Sequence, residues 1–268
     1  MLRLNHLSGF GKKRPAAGGS YDTDAQAFFT ATGISDTTQK NAVDALVVSL
    51  KADGIWTKCI AIYPFVGGTS ATHAVNLKNP GTYDISWSGT VTHDSNGITG
   101  NGTDGYGNTG ITPSSHLTLN DTHASLYCRT GGGSTDNMHD FGCIDGSNTW
   151  RLSLRFFDSF SSVIYGAAIN NSRATAAGFG IQTRRSNIDH EIYWNGTSQT
   201  TQTTDNTGSA RPGQPLYICC RNVDGTANTF SSRNYAFCSV GSGLTDTEAG
   251  NFATRVETFQ DALSRGVV

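Results

Sequence analysis

From Trp56 to about Gly241 the apolar residues of this chain recur at every second position, and that period constrains the fold more than any other feature. A period of two places alternate side chains on opposite faces of a β-strand. Ile60, Ile62 and Phe65 open the pattern, and further runs fall at 123–129, 150–157, 162–167, 179–183, 190–194, 216–221 and 235–240. Trp150-Arg151-Leu152-Ser153-Leu154-Arg155-Phe156 alternates apolar and polar residues, as a strand with one wet face does. Asp145-Gly146, Asn195-Gly196 and Asp224-Gly225 fall between runs, and such pairs tolerate the positive φ of tight hairpin turns. Many short strands with such turns indicate a sandwich or barrel.

Two helical patterns flank the strands. In 36–53, Val43, Leu46, Val47 and Leu50 follow helical spacing, with Ser35 or Asp36 as the cap and Gly54 as the stop. In 246–265, Phe252, Val256, Phe259 and Leu263 form one stripe behind a Thr245-x-x-Glu248 capping box. That stripe is too apolar to face water, so the helix is expected to pack on the domain or on a partner.

Residues 1–20 read as a separate N-terminal arm. Leu2, Leu4, Leu7 and Phe10 are apolar anchors, Lys12, Lys13 and Arg14 form a short basic tract, and Gly18-Gly19 is a linker. So short a segment cannot make its own core, and its anchors favour docking on another surface. Residues 21–268 read as one domain, since 268 residues is ordinary for an all-β sandwich.

Charged residues make up 15% of the chain and the net charge is −2, which gives no global attraction to nucleic acid or anionic membrane. The apolar runs are too short for a membrane span, and the first residues lack the apolar centre of a secretory signal. The six cysteines (Cys59, Cys128, Cys143, Cys219, Cys220, Cys238) contain no C-x-x-C pair and are expected as buried free thiols made in a reducing compartment.

The later part of the chain carries a resemblance. Glu191-Ile192-Tyr193-Trp194-Asn195-Gly196 resembles the strand-and-turn element of laminin G-like and pentraxin-like sandwiches. Phe237-Cys238-Ser239-Val240-Gly241 followed by Leu244-Thr245-Asp246-Thr247-Glu248 resembles the closing strand and helix of the concanavalin A-like lectin/glucanase superfamily. The resemblance implies an all-β, concanavalin A-like jelly-roll sandwich, here with an arm, one helix before it and one after. Leu7-Ser8-Gly9-Phe10-Gly11, the segment from Leu50 to Lys58, and Ala61-Ile62-Tyr63-Pro64-Phe65-Val66-Gly67-Gly68 resemble tailed-phage virion proteins with lectin-like folds. That likeness implies a non-enzymatic structural or accessory protein on the surface of a bacteriophage particle, a capsid decoration or fibre module made in the host cytoplasm. The arm would attach it to other virion proteins of capsid or tail, and a homo-oligomer is expected. The alternative is a host-glycan adhesin on a tail or head fibre; a glycoside hydrolase is more distant.

Residue chemistry discriminates among these. Glucanases of this fold use carboxylates spaced by two on one strand; Asp189 and Glu191 make one such pair without a third acid. The scattered histidines His73, His93, His116, His123, His139 and His190, six of the seven in the chain, show no ligand spacing, so neither metal nor cofactor is expected, although Asp104, Asp136 and Asp140 are the carboxylates on which loop calcium would depend. For glycan contact the candidates are Tyr106, Trp194 and Asp104, in Gly/Asn/Asp-rich surroundings, with Trp87 and Trp150 weighed beside them.

Overall fold

The period of two resolves into two sheets stacked face to face. The computed structural model describes residues 20–130, 138–146, 150–156, 159–166, 168–172, 175–203 and 210–268; the arm anchors Leu2, Leu4, Leu7, Phe10, Lys12, Lys13 and Arg14 lie outside them. The elements begin with α1 (Thr23–Thr32), α2 (Thr37–Ala52), β1 (Cys59–Tyr63), α3 (Ser70–Ala74), β2 (Ser86–Ser88), β3 (Val91–Asp94), β4 (Gly97–Gly100), β5 (Tyr106–Asn108), α4 (Pro113–His116) and β6 (Thr122–Cys128). They continue with β7 (Phe141–Asp145), β8 (Trp150–Phe156), β9 (Ser159–Ile164), β10 (Ile169–Ser172), β11 (Gly178–Ser186) and β12 (Asp189–Trp194). The last are β13 (Thr197–Gln202), β14 (Tyr217–Ile218), β15 (Arg221–Val223), β16 (Thr226–Asn228), β17 (Asn234–Gly241) and α5 (Asp246–Ala262).

The first sheet has the order β13-β12-β11-β6-β17-β4-β3, with β1 also on β17; the second has β10-β9-β8-β7-β14-β5-β2, with β15 and β16 attached at β7. Among the described residues pairing is antiparallel except where β15 runs parallel to β7. Alternation sorts the side chains into two clusters. Leu126, Cys128, Ile192, Cys238 and Val240 of the first sheet meet Phe141, Cys143, Leu154, Ile164 and Ile218 of the second, which is the sandwich core. Tyr127, Phe179, Ile181, Tyr193 and Phe237 face the other way, under Leu46, Val47 and Leu50 of α2 and Phe252, Val256 and Phe259 of α5. The jelly-roll sandwich is therefore roofed on one sheet by helices.

This roof differs from one helix before the strands and one after. An additional helix, α1, precedes α2. Asp22 caps it by accepting from Asp24 N–H (2.9 Å), Gly33 ends it at φ 69°, and it buries Ala25, Phe28 and Phe29. For α2 the cap is Asp36, whose side chain accepts from Gln39 N–H at 2.8 Å. The Thr245–Glu248 capping box is present, and the stripe of α5 packs on the protein's own sheet rather than on a partner. The Asn195-Gly196 turn has φ 50° and 79°; a Cβ on Gly196 would stand 3.0 Å from Ala253 Cβ, so the turn tucks beneath α5.

Two expected strands end early. The run 216–221 is broken because Cys219 takes φ 69°, with its N–H on Asp140 O (2.9 Å) and its carbonyl accepting from Ser231 (2.7 Å). The first strand stops at Tyr63, since Phe65 takes φ 43°. Buried Arg265 fixes that corner by donating to Phe65 O (2.7 Å) and Pro64 O (3.1 Å). All six cysteines are buried and unpaired, as expected.

Candidate functional site

With helices over the first sheet, the outer face of the second remains for contact. Its register is set by Gly107, which pairs with both Trp87 and Ile218. A Cβ at Gly107 would meet the Trp87 ring at 2.6 Å, so that position faces the core and its neighbours Tyr106 and Asn108 face outward. Ile218 is in the core, which puts Tyr217, opposite Asn108, on the same outer face. Tyr106 and Tyr217 stack with centroids 4.6 Å apart and planes 27° from parallel, and Phe230 lies 6.4 Å from Tyr106. Tyr217 is only 6% exposed, while Tyr106 and Phe230 are half-buried. Burial, then the neighbouring Tyr106, raises the Tyr217 phenol above its ordinary pKa, so that hydroxyl keeps its proton. Asn108 Oδ1 accepts from Gly110 N–H (2.9 Å), which fixes the carboxamide on the same face as the rings.

The loop leading into β5 contains Asp104. Asn101 Oδ1 accepts from the N–H groups of Thr103, Asp104 and Gly105, each at 3.0 Å. Asp104 Oδ1 accepts from Thr90 N–H (3.1 Å) and Asn101 Nδ2 (2.6 Å). Those bonds, Thr90 first, hold its carboxyl below the usual range. The exposed Asp104 thus orders the loop that presents Tyr106.

Trp194 does not belong to this surface. It is 6% exposed and lies in the sandwich core with Ile192, because both occupy inward positions of β12. A Cβ on Gly178 would stand 2.6 Å from the indole, so the ring is pressed flat on that backbone and offers no platform. Trp87 is half-buried, packs on the core, and donates from Nε1 to Ser70 O (2.9 Å). The side chain of Trp150 and all of Asp136 lie outside the described residues.

Asp189 and Glu191 do share a face, but Arg185 occupies it. Its Nε bonds Asp189 (2.7 Å), its Nη2 Glu191 (2.6 Å) and its Nη1 Asp246 (2.5 Å). Tyr193 donates to Glu191 (2.6 Å) and Asp246 (2.8 Å), and Ser198 donates to Glu191. Asp189, above the other partners, holds the guanidinium above its usual pKa. Carboxylates so neutralised tie β12 to the start of α5. Asp140, weighed for calcium, is fully buried and accepts from Arg233 (3.0 Å), Ser231 (2.9 Å) and Tyr235. Among the described residues no group of three or more His, Cys, Asp or Glu side chains is placed to hold a metal.

Tyr217 and Phe230 were not singled out by the sequence. The parity of Leu216, Tyr217 and Ile218 held the signal: both aliphatic neighbours point inward, which sends the tyrosine outward. The structure also joins two histidines that spacing left apart, with His73 Nδ1 3.1 Å from His93 Nδ1.

No family model matches the sequence, and no curated protein matches it. Solved structures do resemble it. The binding domain of botulinum neurotoxin serotype D aligns over 75% of this chain and 52% of its own, at 10% identity and a TM-score of 0.54. A botulinum neurotoxin type C structure aligns over 76% of this chain and 53% of its own, at 12% identity and a TM-score of 0.53. A Streptococcus pneumoniae sialidase aligns over 52% of this chain and 25% of its own length at a TM-score of 0.39, too loose to bear on function. The chain thus spans about half of each toxin structure and a quarter of the sialidase. Together with the topology, the toxin likeness defines the class: an all-β jelly-roll sandwich. Within that class, this chain has its helical roof on one sheet and an aromatic surface on the other.

Proposed function

We propose that this chain is a non-enzymatic carbohydrate-recognition module that binds a glycan on the outer face of its second sheet. The observation that carries the reading is the Tyr106–Tyr217 stack, with Phe230 beside it, on the face that the helices leave uncovered. A pyranose presents a C–H face that packs on a neutral ring and hydroxyls that need amide partners; the half-buried Tyr106, backed by buried Tyr217, and Asn108 offer both. The similar type C neurotoxin depends on interaction with two ganglioside molecules to enter cells, which supports a glycan reading for this fold. The binding of Asp189 and Glu191 to Arg185 supports the non-enzymatic half of the reading.

The module would act as an adhesin on a larger particle. Attachment of residues 1–20 to capsid or tail proteins of a bacteriophage, assembly as a homo-oligomer and exposure on the virion surface rest on the sequence alone. A glycan array probed with the full chain tests the binding. At least one glycan class should bind, and Tyr106→Ala should weaken it about tenfold or more, the loss typical of a central aromatic contact. An array without signal disproves the reading. Deletion of residues 1–20 should abolish incorporation into particles while leaving glycan binding intact.

A further inference from the structure

Where β9 lies over β11 and β12, three polar side chains from the two sheets meet in the interior. Ser162 comes from β9, Gln182 from β11 and His190 from β12, exposed by 0%, 0% and 1%. Phe179 and Ile181 face the helices, so Gln182 faces the other sheet; Ile192 and Trp194 face inward, as does His190; Ile164 faces inward, as does Ser162. Ser162 Oγ donates its proton to Gln182 Oε1 and stands 3.1 Å from His190 Nε2. Among the described residues His190 Nδ1 is buried with no partner, and a buried orphan of that kind calls for an explanation beyond packing.

These are the parts of an acyl transfer: a hydroxyl nucleophile, an imidazole within reach of it, and a carboxamide in contact with it. An outside substrate has no access to a site this buried. The acyl group in reach is the carboxamide of Gln182.

We propose that Ser162 and Gln182 join in an intramolecular ester that cross-links the two sheets. The hydroxyl proton turns from Gln182 Oε1 to His190 Nε2, which accepts it with the ring proton on Nδ1, as Ser162 Oγ attacks Gln182 Cδ. The tetrahedral intermediate collapses with cleavage of the Cδ–Nε2 bond, and the proton passes from His190 to the leaving nitrogen. One alcohol and one carboxamide become one ester and one ammonia, with no change of oxidation state and no co-reactant. Burial, then the nearby Arg184, lowers the His190 pKa to about 3, so the imidazole enters the step unprotonated and holds the proton only until the leaving nitrogen takes it. Arg184 pairs with His190 across β11 and β12 and donates to Ile164 O (3.1 Å), which fixes a positive charge beside the imidazole. Exclusion of water would then protect the ester from hydrolysis. The link would staple the sandwich across a short loop, restricting the unfolded chain as a disulfide does.

Mass spectrometry of the full chain tests the proposal. The intact mass should fall below the sequence mass by one ammonia. Tryptic digestion should give one linked species joining 156–173 to 174–184, which distinguishes the ester from ammonia loss at an Asn-Gly turn. Ser162→Ala should restore the full mass. Recovery of the two peptides separately, each at its unmodified mass, overturns the proposal without recourse to any variant.

Discussion

His73 donates from Nδ1 to Nδ1 of His93 across 3.1 Å, an arrangement that requires both rings to be neutral. The tautomer follows from the next bond, because His73 Nε2 accepts from Gly68 N–H at 3.2 Å and the ring proton must therefore sit on Nδ1. Burial, then His93, lowers the His73 pKa from 6.5 to about 3. Burial likewise lowers His123 to about 4 and His190 to about 3.

These three imidazoles predict acid sensitivity. In the unfolded chain they take up protons near pH 6.5, whereas the folded protein refuses them until about pH 3–4. Across that window the unfolded state binds more protons, so stability falls as pH falls, by about 1 kcal/mol per pH unit for each histidine. Chemical denaturation at pH 7 and pH 5 should show a loss of several kcal/mol. Equal stability at the two pH values would mean that the rings are solvated.

Phe252 fastens the helical roof. Its ring stands 5.5 Å from Phe179 and 5.8 Å from Phe237, both edge to face, beneath a helix that also buries Val256 and Phe259. Phe252→Ala should cost about 3–5 kcal/mol, the range for removing a buried aromatic ring. Thr254→Ala, on the exposed side of the same helix, should cost under about 1 kcal/mol. Urea titrations of both variants measure the contrast, and similar small losses would show that α5 is loosely docked.

The roof was legible because α2 and α5 bury stripes at helical spacing behind caps that a sequence displays openly. The strands 123–129, 190–194 and 235–240 were legible for the same reason: their aliphatic and aromatic residues alternate. Strands such as β2, β5 and β16 were not, since they are three residues each and carry mostly Ser, Gly, Asn and Thr. Trp194 misled because an aromatic before an Asn-Gly turn reads as exposed, whereas its side is set by Ile192 two positions earlier. Tyr106 could be singled out by its surroundings, but its partner Tyr217 is more than a hundred residues away, and only sheet register brings them together.

The Asp140–Arg233 pair predicts a large loss from a single charge deletion. Both side chains are buried, and Tyr235 and Ser231 spend their hydroxyls on the same carboxylate oxygen. Arg233→Ala leaves that carboxylate without its cation and should cost about 3–5 kcal/mol. A double-mutant cycle with Asp140→Asn should show strong coupling, and additive losses would mean that the two groups are separately solvated.

The Arg185 hub predicts unequal weights for its acids. Glu191 is 4% exposed and accepts from Arg185, Tyr193 and Ser198, with the Arg185 guanidinium as its paired cation. The Asp246 side chain is 75% exposed, and its pair with Arg185 is screened by water. Arg185→Ala should therefore destabilise the protein by several kcal/mol, through the buried Glu191 left unpaired. Asp246→Asn should cost less than about 1 kcal/mol. Tyr193, then Arg185, holds Asp246 below its ordinary carboxylate range, so its small share of stability is lost as acid protonates it. Neither variant should alter sugar release from polysaccharides, because these carboxylates anchor a strand to a helix. Release by the parent protein that disappears in Glu191→Gln would overturn that assignment and restore the pair as a hydrolytic centre.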